Sequence, residues 1–122
     1  MDGRTPRDGF RSVTPRIVVD DVASQVQFLV DVFDATGDVD PSRPVELRIG
    51  DSLVMISSTE GRAAFPAFLY VYVENADATF ERAISVGATS IEEPLDTPYG
   101  DRRAMVRDPF GNVFQIAHVL DA

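Results

Sequence analysis

The sequence predicts an α+β fold in which a strand–helix–three-strand (βαβββ) module occurs twice in tandem. Short segments that alternate apolar and polar residues, as half-buried strands do, occur in both halves of the 122-residue chain. In each half a segment with helical spacing follows the first of these strands, and turn signals separate the strands that come later. The length and a hydrophobic content of 44% fit one domain of ordinary composition.

The predicted organisation is a single domain at residues 13–119 behind a polar leader. Its segments are a flexible leader at 1–12, a first module at about 13–57, a linker at 58–66 and a second module at about 67–119.

The first module begins with a strand and a helix. Val13 to Val19 alternates between apolar and polar side chains, which predicts a strand with one face on a core. Asp20 and Asp21 offer an N-cap for a helix of about three turns. Its apolar face is formed by residues at helical spacing, namely Val22, Val26, Leu29, Val30 and Phe33.

A loop and a hairpin complete the first module. Asp34 to Arg43 is predicted as a loop with room for one short strand. The Gly50-Asp51-Ser52 turn separates two apolar runs, so Val45 to Ile49 and Leu53 to Ile56 are predicted to form a hairpin.

The second half repeats this order. Phe68 to Val73 alternates like a strand, Asn75 is a candidate N-cap, and Gly87 ends the helical spacing that follows. Three more strands are predicted, at Ala88 to Ile91, Arg102 to Val106 and Val113 to Val119. The repeated order predicts an internal duplication.

Composition excludes several classes of function. The formal net charge of −9, from 20 acidic and 11 basic residues, disfavours nucleic acid and anionic membranes as partners. The acidic surface either favours a cationic ligand or simply maintains solubility. The absence of cysteine excludes disulfides, thiolate metal ligands and cysteine nucleophiles. With neither the apolar core of a signal peptide nor a membrane-spanning run, we expect a cytoplasmic protein.

Several motifs resemble the vicinal oxygen chelate superfamily, which includes glyoxalase I, extradiol dioxygenases, fosfomycin-modifying enzymes and bleomycin-binding resistance proteins. They are Thr14 to Phe28, Phe68 to Ala83, Tyr99-Gly100-Asp101-Arg102, and Asp108-Pro109-Phe110-Gly111-Asn112 followed by Val113-Phe114-Gln115-Ile116. The resemblance spans Val13 to Val119. It implies that the paired modules form an incomplete eight-stranded barrel with helices on the convex side, usually completed by homodimerisation. It implies a fold more than a chemistry.

The resemblance also implies four metal-ligand positions, usually His and Glu. Here they fall on Thr14, Phe68, Gln115 and a position near Val54, where a shift of one residue reaches Leu53 or Met55. Divalent ions need several converging O, N or S donors, and these residues are weak donors or none at all. We therefore expect a metal-free branch of the superfamily, with no metal and no cofactor.

The single histidine is a possible substitute ligand. His118 and Gln115 lie on opposite faces of the last strand. We therefore expect His118 on the helix side or at the strand end. A metal enzyme stays an alternative only if Glu46, Asp51 or His118 converge on one point.

Strand alternation and the resemblance together predict a ligand cup on the concave face. The candidate ligand-binding residues are Thr14, Arg16, Met55, Phe68, Tyr70, Tyr72, Tyr99, Arg103, Met105 and Gln115. The aromatic stripe on the 68–73 strand suits planar or aromatic ligands, and Arg16 could hold a carboxylate or stack on a ring. Alternatively the aromatic side chains fill a small barrel or pack at a dimer interface.

The Tyr99 to Arg102 segment has two interpretations. As a functional loop, it would close Tyr99 over a ligand, with Arg102 or Arg103 touching it. As a structural turn, it would use Asp101 to cap backbone amides and to pair with an arginine.

These features favour a metal-free small-molecule-binding protein of the glyoxalase/bleomycin-resistance-like type. It would bind an aromatic or planar ligand, possible ligands including an antibiotic. The alternative is a metal-independent lyase or isomerase that uses Tyr70, Tyr72 or Arg16 as acid or anion clamp. It ranks second because alternation places no carboxylate or histidine in the cup, and acid–base catalysis usually needs a group with a tuned pKa.

Overall fold

The computed structural model describes residues 9–40, 42–61 and 63–121, so most of the predicted leader lies outside the described residues. Within them the elements are β1 (Arg16–Val18), α1 (Val22–Phe33), β2 (Val45–Ile49), β3 (Ser52–Ser57), β4 (Phe68–Tyr72), α2 (Ala76–Ser85), β5 (Thr89–Asp96), β6 (Asp101–Arg107) and β7 (Val113–Val119). None of the helices in these ranges is long and apolar enough to cross a membrane. The boundaries of the leader, the linker and the two modules remain predictions.

The strands form two sheets that do not close into a barrel. The first sheet has the order β1-β3-β2 and the second the order β4-β7-β6-β5. In both sheets the first strand of its half lies parallel to the last, β1 beside β3 and β4 beside β7, while the other pairs are antiparallel. This shared connectivity confirms the α+β fold with two related halves.

The expected count of eight strands is wrong for the described residues, which contain seven. The missing strand is the counterpart of β5, where the loop after α1 makes only an isolated bridge between Thr36 and Arg48. Gly37 follows at φ 149°, and a Cβ there would lie 2.5 Å from the backbone oxygen of Glu46. The loop after α1 therefore pairs with β2 only at this bridge and then turns away from it, so it does not continue as a strand.

The strand β5 is longer than predicted. The prediction ended it at Ile91, but its pairing with β6 continues through Leu95 and Asp96 with two register shifts. Pro94 is tolerated because β5 is an edge strand, where a missing N–H need not break the sheet.

Both helices begin at predicted caps. The Asp21 carboxylate accepts a hydrogen bond from the Ser24 backbone N–H at 3.0 Å. The Asn75 side chain accepts one from the Ala78 N–H at 3.1 Å. Each bond satisfies a backbone donor that the first turn of a helix leaves unpaired.

The two halves share one core. The buried apolar cluster draws on α1, α2 and both sheets. At its centre Phe114 of β7 lies with its ring centroid 6.1 Å from Phe28 and 5.2 Å from Phe33, both of α1. The first helix thus packs on a strand of the second half.

Candidate functional site

We call the face of each sheet that is turned away from the helices and the core its open face. Along β4, Leu69 and Val71 pack against the core. Phe68, Tyr70 and Tyr72 alternate with them and are 65%, 38% and 60% exposed. This strand therefore presents the aromatic stripe on the open face, as the alternation predicted.

The register of the second sheet adds neighbours to the stripe. Tyr70 lies beside Gln115, which is paired in turn with Met105. Tyr72 lies beside Ala117, whose partner on β6 is Arg103. Because directly paired residues share a face, these side chains form one surface across β4, β7 and β6.

A buried carboxylate lies at one end of this surface. Asp101 is only 5% exposed. Its Oδ2 accepts hydrogen bonds from the hydroxyls of Tyr70 at 2.6 Å and Tyr72 at 2.8 Å. The two phenol rings lie 5.4 Å apart between centroids, tilted by 58°.

These bonds change the acidity of both phenols. Burial and the bond to Asp101 raise the pKa of Tyr70 well above its usual range. The bond to Asp101, with a smaller contribution from burial, also raises the pKa of Tyr72. Both hydroxyls remain protonated donors, because ionisation would place a second negative charge beside the carboxylate.

A second chain of polar contacts extends from Tyr70. Its hydroxyl oxygen lies 3.3 Å from that of Tyr99, which accepts a hydrogen bond from Arg103 Nη1 at 2.9 Å. Arg103 also donates from Nε and Nη2 to Glu92 Oε1, at 3.1 and 2.6 Å. The neighbouring Tyr70 hydroxyl and Arg103 guanidinium lower the pKa of Tyr99. The bond to Glu92 raises the pKa of Arg103.

We refer to these six bonded residues as the tyrosine cluster, which consists of Tyr70, Tyr72, Tyr99, Glu92, Asp101 and Arg103. Two of them were not predicted, and the expectation that no carboxylate lies in the cup is wrong. The predicted role of Asp101 as an amide cap paired with an arginine is also wrong. Its carboxylate binds phenols, while its backbone N–H and C=O bond to Thr97.

A signal for Asp101 was present in the sequence. Asp101, Arg103 and Met105 alternate, so extending the predicted strand by one residue would have placed Asp101 on the open face. Glu92 was missed because the strand before β6 was predicted to end at Ile91, the residue directly before it. Arg102 lies on the opposite face, where it binds Asp77 and Asp96 through bonds of 2.7 to 2.9 Å.

Three of the ten predicted site residues belong to the first half. On β1, Arg16 donates from Nε to Ser57 Oγ at 3.0 Å, and it is paired with Met55 of β3. Thr14 precedes β1 and donates to the Arg11 carbonyl at 3.3 Å. The other seven lie on the second sheet or, for Tyr99, in the loop beside it.

The first-half metal position, predicted near Val54 with Leu53 and Met55 as neighbours, corresponds to Met55 by strand register. Val54 is buried in the core, whereas Met55 lies beside Arg16 just as Gln115 lies beside Tyr70. The four related positions are therefore Thr14, Met55, Phe68 and Gln115, a set without a carboxylate or an imidazole. These residues do not fit a divalent metal held in the superfamily's usual manner.

Elsewhere in the described ranges, no group of three or more His, Cys, Asp or Glu side chains could hold a metal. The expectation that His118 faces the helices is confirmed. Its Nδ1 accepts a hydrogen bond from the Ala76 N–H, at the start of α2, at 2.7 Å.

The most recognisable motif, Asp108 to Asn112, forms a turn away from the open face in which the Asp108 and Asn112 side chains are buried. Asn112 donates to Gln25 Oε1 at 2.8 Å and accepts from the Ala67 N–H at 2.8 Å. Gln25 in turn donates to Asp108 Oδ2 at 3.0 Å. This network joins α1, the start of β4 and the β6–β7 turn, so the motif contributes to the fold and not to the site.

A crevice of about 230 Å³ adjoins the tyrosine cluster. It lies between the β2–β3 turn and β4, and Pro15, Ile49, Asp51, Leu69, Tyr70 and Tyr72 are among its lining residues. Tyr70 and Tyr72 therefore border both the open face and a space between the two sheets.

The family model of the glyoxalase/bleomycin resistance protein/dioxygenase superfamily matches residues 11–116. The chain belongs to this superfamily. Among curated relatives, the uncharacterized protein Mb0911c of Mycobacterium bovis is 31% identical over 119 residues, covering 83% of this chain and 78% of that protein. The anthracycline biosynthesis protein DauV of Streptomyces sp. strain C5 is 42% identical over 50 residues, covering 41% of this chain and 18% of DauV.

Solved structures show the same superfamily fold. TioX from Micromonospora sp. ML1 superposes with a TM-score of 0.76 at 24% identity, over 88% of this chain and 98% of TioX. A glyoxalase/bleomycin resistance protein/dioxygenase family enzyme from Burkholderia phytofirmans PsJN gives 0.75 at 25% identity, over 86% and 95% of the two chains.

Proposed function

We propose that this superfamily member is a metal-free protein that binds a planar or aromatic small molecule. The ligand lies against the open face of the second sheet. The observation that carries the proposal is the exposed aromatic stripe of Phe68, Tyr70 and Tyr72. Flat rings held side by side on a strand offer a planar ligand a large apolar contact with little loss of side-chain freedom.

The polar groups of the cluster support the same proposal. Because the Tyr70 and Tyr72 hydroxyls are bonded to Asp101, both rings are held in fixed orientations before a ligand arrives. Binding to a preorganised surface avoids part of the entropy cost of ordering side chains. Thr14, Arg16, Met55, Met105 and Gln115 would contribute further contacts.

The comparisons support a role connected with antibiotics. The superfamily's description includes bleomycin resistance proteins, and the partly matching DauV protein functions in anthracycline biosynthesis. We propose sequestration of such an aromatic compound in resistance or biosynthesis.

Binding is tested by thermal shift and calorimetry with planar aromatic compounds, with and without Ni²⁺, Zn²⁺ and Mn²⁺. Phe68→Ala is expected to weaken binding about tenfold, because it removes an exposed ring that makes no structural contribution to the core. Ile84→Ala, an exposed apolar truncation on α2, should leave affinity unchanged. Stabilisation by a metal ion alone would contradict a metal-free site.

We further propose that the protein is a homodimer in which a second copy covers part of the open face. Large side chains exposed there include Leu95, Tyr99 and Val119 in addition to the aromatic stripe. Sedimentation equilibrium should give twice the mass of 13.4 kDa. A purely monomeric protein at micromolar concentration would exclude this assembly.

A metal-independent lyase or isomerase is the second candidate function, and the position of Tyr99 favours it. Its hydroxyl borders the open face, and Tyr70 and Arg103 lower its pKa, which suits an acid–base group. Proton NMR of metabolite mixtures incubated with the protein would reveal turnover. Turnover that persists in Tyr99→Phe would exclude Tyr99 as the acid–base group.

A further inference from the structure

We infer that the ligand carries a cationic group, such as an ammonium or an alkylated ring nitrogen, which lies over the rings of Tyr70 and Tyr72 beside Asp101. This inference rests on the proposed function, because it specifies the chemistry of a ligand on the same open face.

The first argument is the charge of the tyrosine cluster. It contains two carboxylates, Asp101 and Glu92, but only one guanidinium, that of Arg103. Arg103 donates twice to Glu92, so these two charges offset each other. Within the described residues, the Asp101 carboxylate is bonded to two neutral phenols and to no cation. One negative charge therefore remains uncompensated within the cluster.

The burial of Asp101 makes this charge effective. At 5% exposure, water screens the carboxylate poorly, so it acts on nearby charges more strongly than a surface carboxylate would. Hydrogen bonds from the two phenols stabilise it but carry no positive charge. A cation above these phenols would give the Asp101 carboxylate the oppositely charged partner that buried carboxylates usually have.

The second argument is the attraction of the Tyr70 and Tyr72 ring faces for a cation. Cations are attracted to the faces of aromatic rings within about 6 Å of the centroid. Tyr70 and Tyr72 have centroids only 5.4 Å apart, so one cation can lie near both rings. Their hydroxyls donate to a carboxylate, which increases electron density in the rings and strengthens this attraction.

In the part of the chain that the structure describes, the other nearby arginines do not occupy this position. Arg102 lies on the helix side of β6, where Asp77 and Asp96 bind it. Arg16 is on the first sheet and bonds to Ser57. Arg107 is at the far end of β6, paired with Val113. The net charge of −9 adds a general attraction for cations.

The test uses three probes that share one ring system and differ in charge. They are N-methylacridinium, acridine at mildly alkaline pH where it is neutral, and acridine-9-carboxylate. Affinities are measured by fluorescence titration at low salt, and we expect N-methylacridinium to bind about tenfold more tightly than acridine. The carboxylate should bind most weakly.

Asp101→Asn keeps the size and acceptor oxygen of the side chain but removes its charge, so it should reduce the preference for the cation to the smaller part that the rings contribute. Glu81→Gln is the matched control, since it removes one negative charge from an exposed position on α2 and should preserve the preference. Tyr72→Leu provides a second test, because it removes an exposed ring and one hydrogen bond to Asp101 but leaves the charge of the carboxylate in place. It should reduce the preference for the cation severalfold.

The outcomes separate the two proposals. If all three probes bind equally well, or if Asp101→Asn and Tyr72→Leu keep the full preference, the cationic group is excluded while planar ligand binding stands. If none of the probes binds, the proposed function itself fails for this class of ring. If the control Glu81→Gln loses the preference as Asp101→Asn does, the effect comes from overall charge and the local inference is wrong.

Discussion

The Tyr70 and Tyr99 hydroxyls lie 3.3 Å apart but have opposite shifts in pKa. Tyr70 is more buried and donates to Asp101, and both effects raise its pKa. Tyr99 is exposed, and the contacts with Tyr70 and Arg103 lower its pKa. The difference arises because burial and a neighbouring carboxylate oppose the ionisation of Tyr70, whereas the Tyr70 hydroxyl and a guanidinium favour the ionisation of Tyr99.

An alkaline titration of the phenols tests this difference. The chain has three tyrosines and no tryptophan, so ultraviolet absorbance can resolve them. We expect Tyr99 to ionise below the ordinary phenol value of about 10, and Tyr70 and Tyr72 above it. Tyr99→Phe should remove the early step, and Arg103→Met should move it to higher pH. Three tyrosines titrating together near the ordinary value would contradict the cluster.

Among elements, the β6–β7 turn shows why a motif can be recognisable without belonging to the site. Asn112 forms hydrogen bonds with the buried Gln25 side chain of α1 and with the half-buried backbone N–H of Ala67 before β4. Buried polar groups must be paired, so only a side chain with both a donor and an acceptor suits this position.

Asn112→Ala should therefore lower the free energy of unfolding by about 2–4 kcal/mol, because it leaves the buried Gln25 Oε1 and the half-buried Ala67 N–H without this partner. Asn75→Ala removes an exposed N-cap of α2 and should cost only about 1 kcal/mol. Urea denaturation followed by circular dichroism measures both variants. Equal effects would show that the turn network contributes no more than an ordinary cap.

For the whole molecule, the shared core means that the duplicated halves are not independent folding units. The ring contacts of Phe114 with Phe28 and Phe33 join a strand of one half to a helix of the other. Separating the halves would expose this apolar surface to water.

Unfolding should consequently occur in one step. All three tyrosines lie in the second half, so their fluorescence reports on that half alone. Leu29→Ala truncates a fully buried residue of α1 in the first half and should cost about 3 kcal/mol. Tyrosine fluorescence and far-ultraviolet circular dichroism should then shift to lower urea concentration together. A shift in circular dichroism with unchanged tyrosine fluorescence would indicate separate units.

The sequence by itself determined the strand and helix order, both helix caps and the orientation of Phe68, Tyr70 and Tyr72. These features depend on alternation and capping, which are local properties of neighbouring residues. Only the tertiary structure decided which carboxylate those tyrosines bind, that Met55 rather than Val54 corresponds to Gln115, and that the eighth strand is reduced to one bridge. Each of these depends on register and on contacts between residues distant in the chain, and a shift of one residue in register exchanges the core face for the open face.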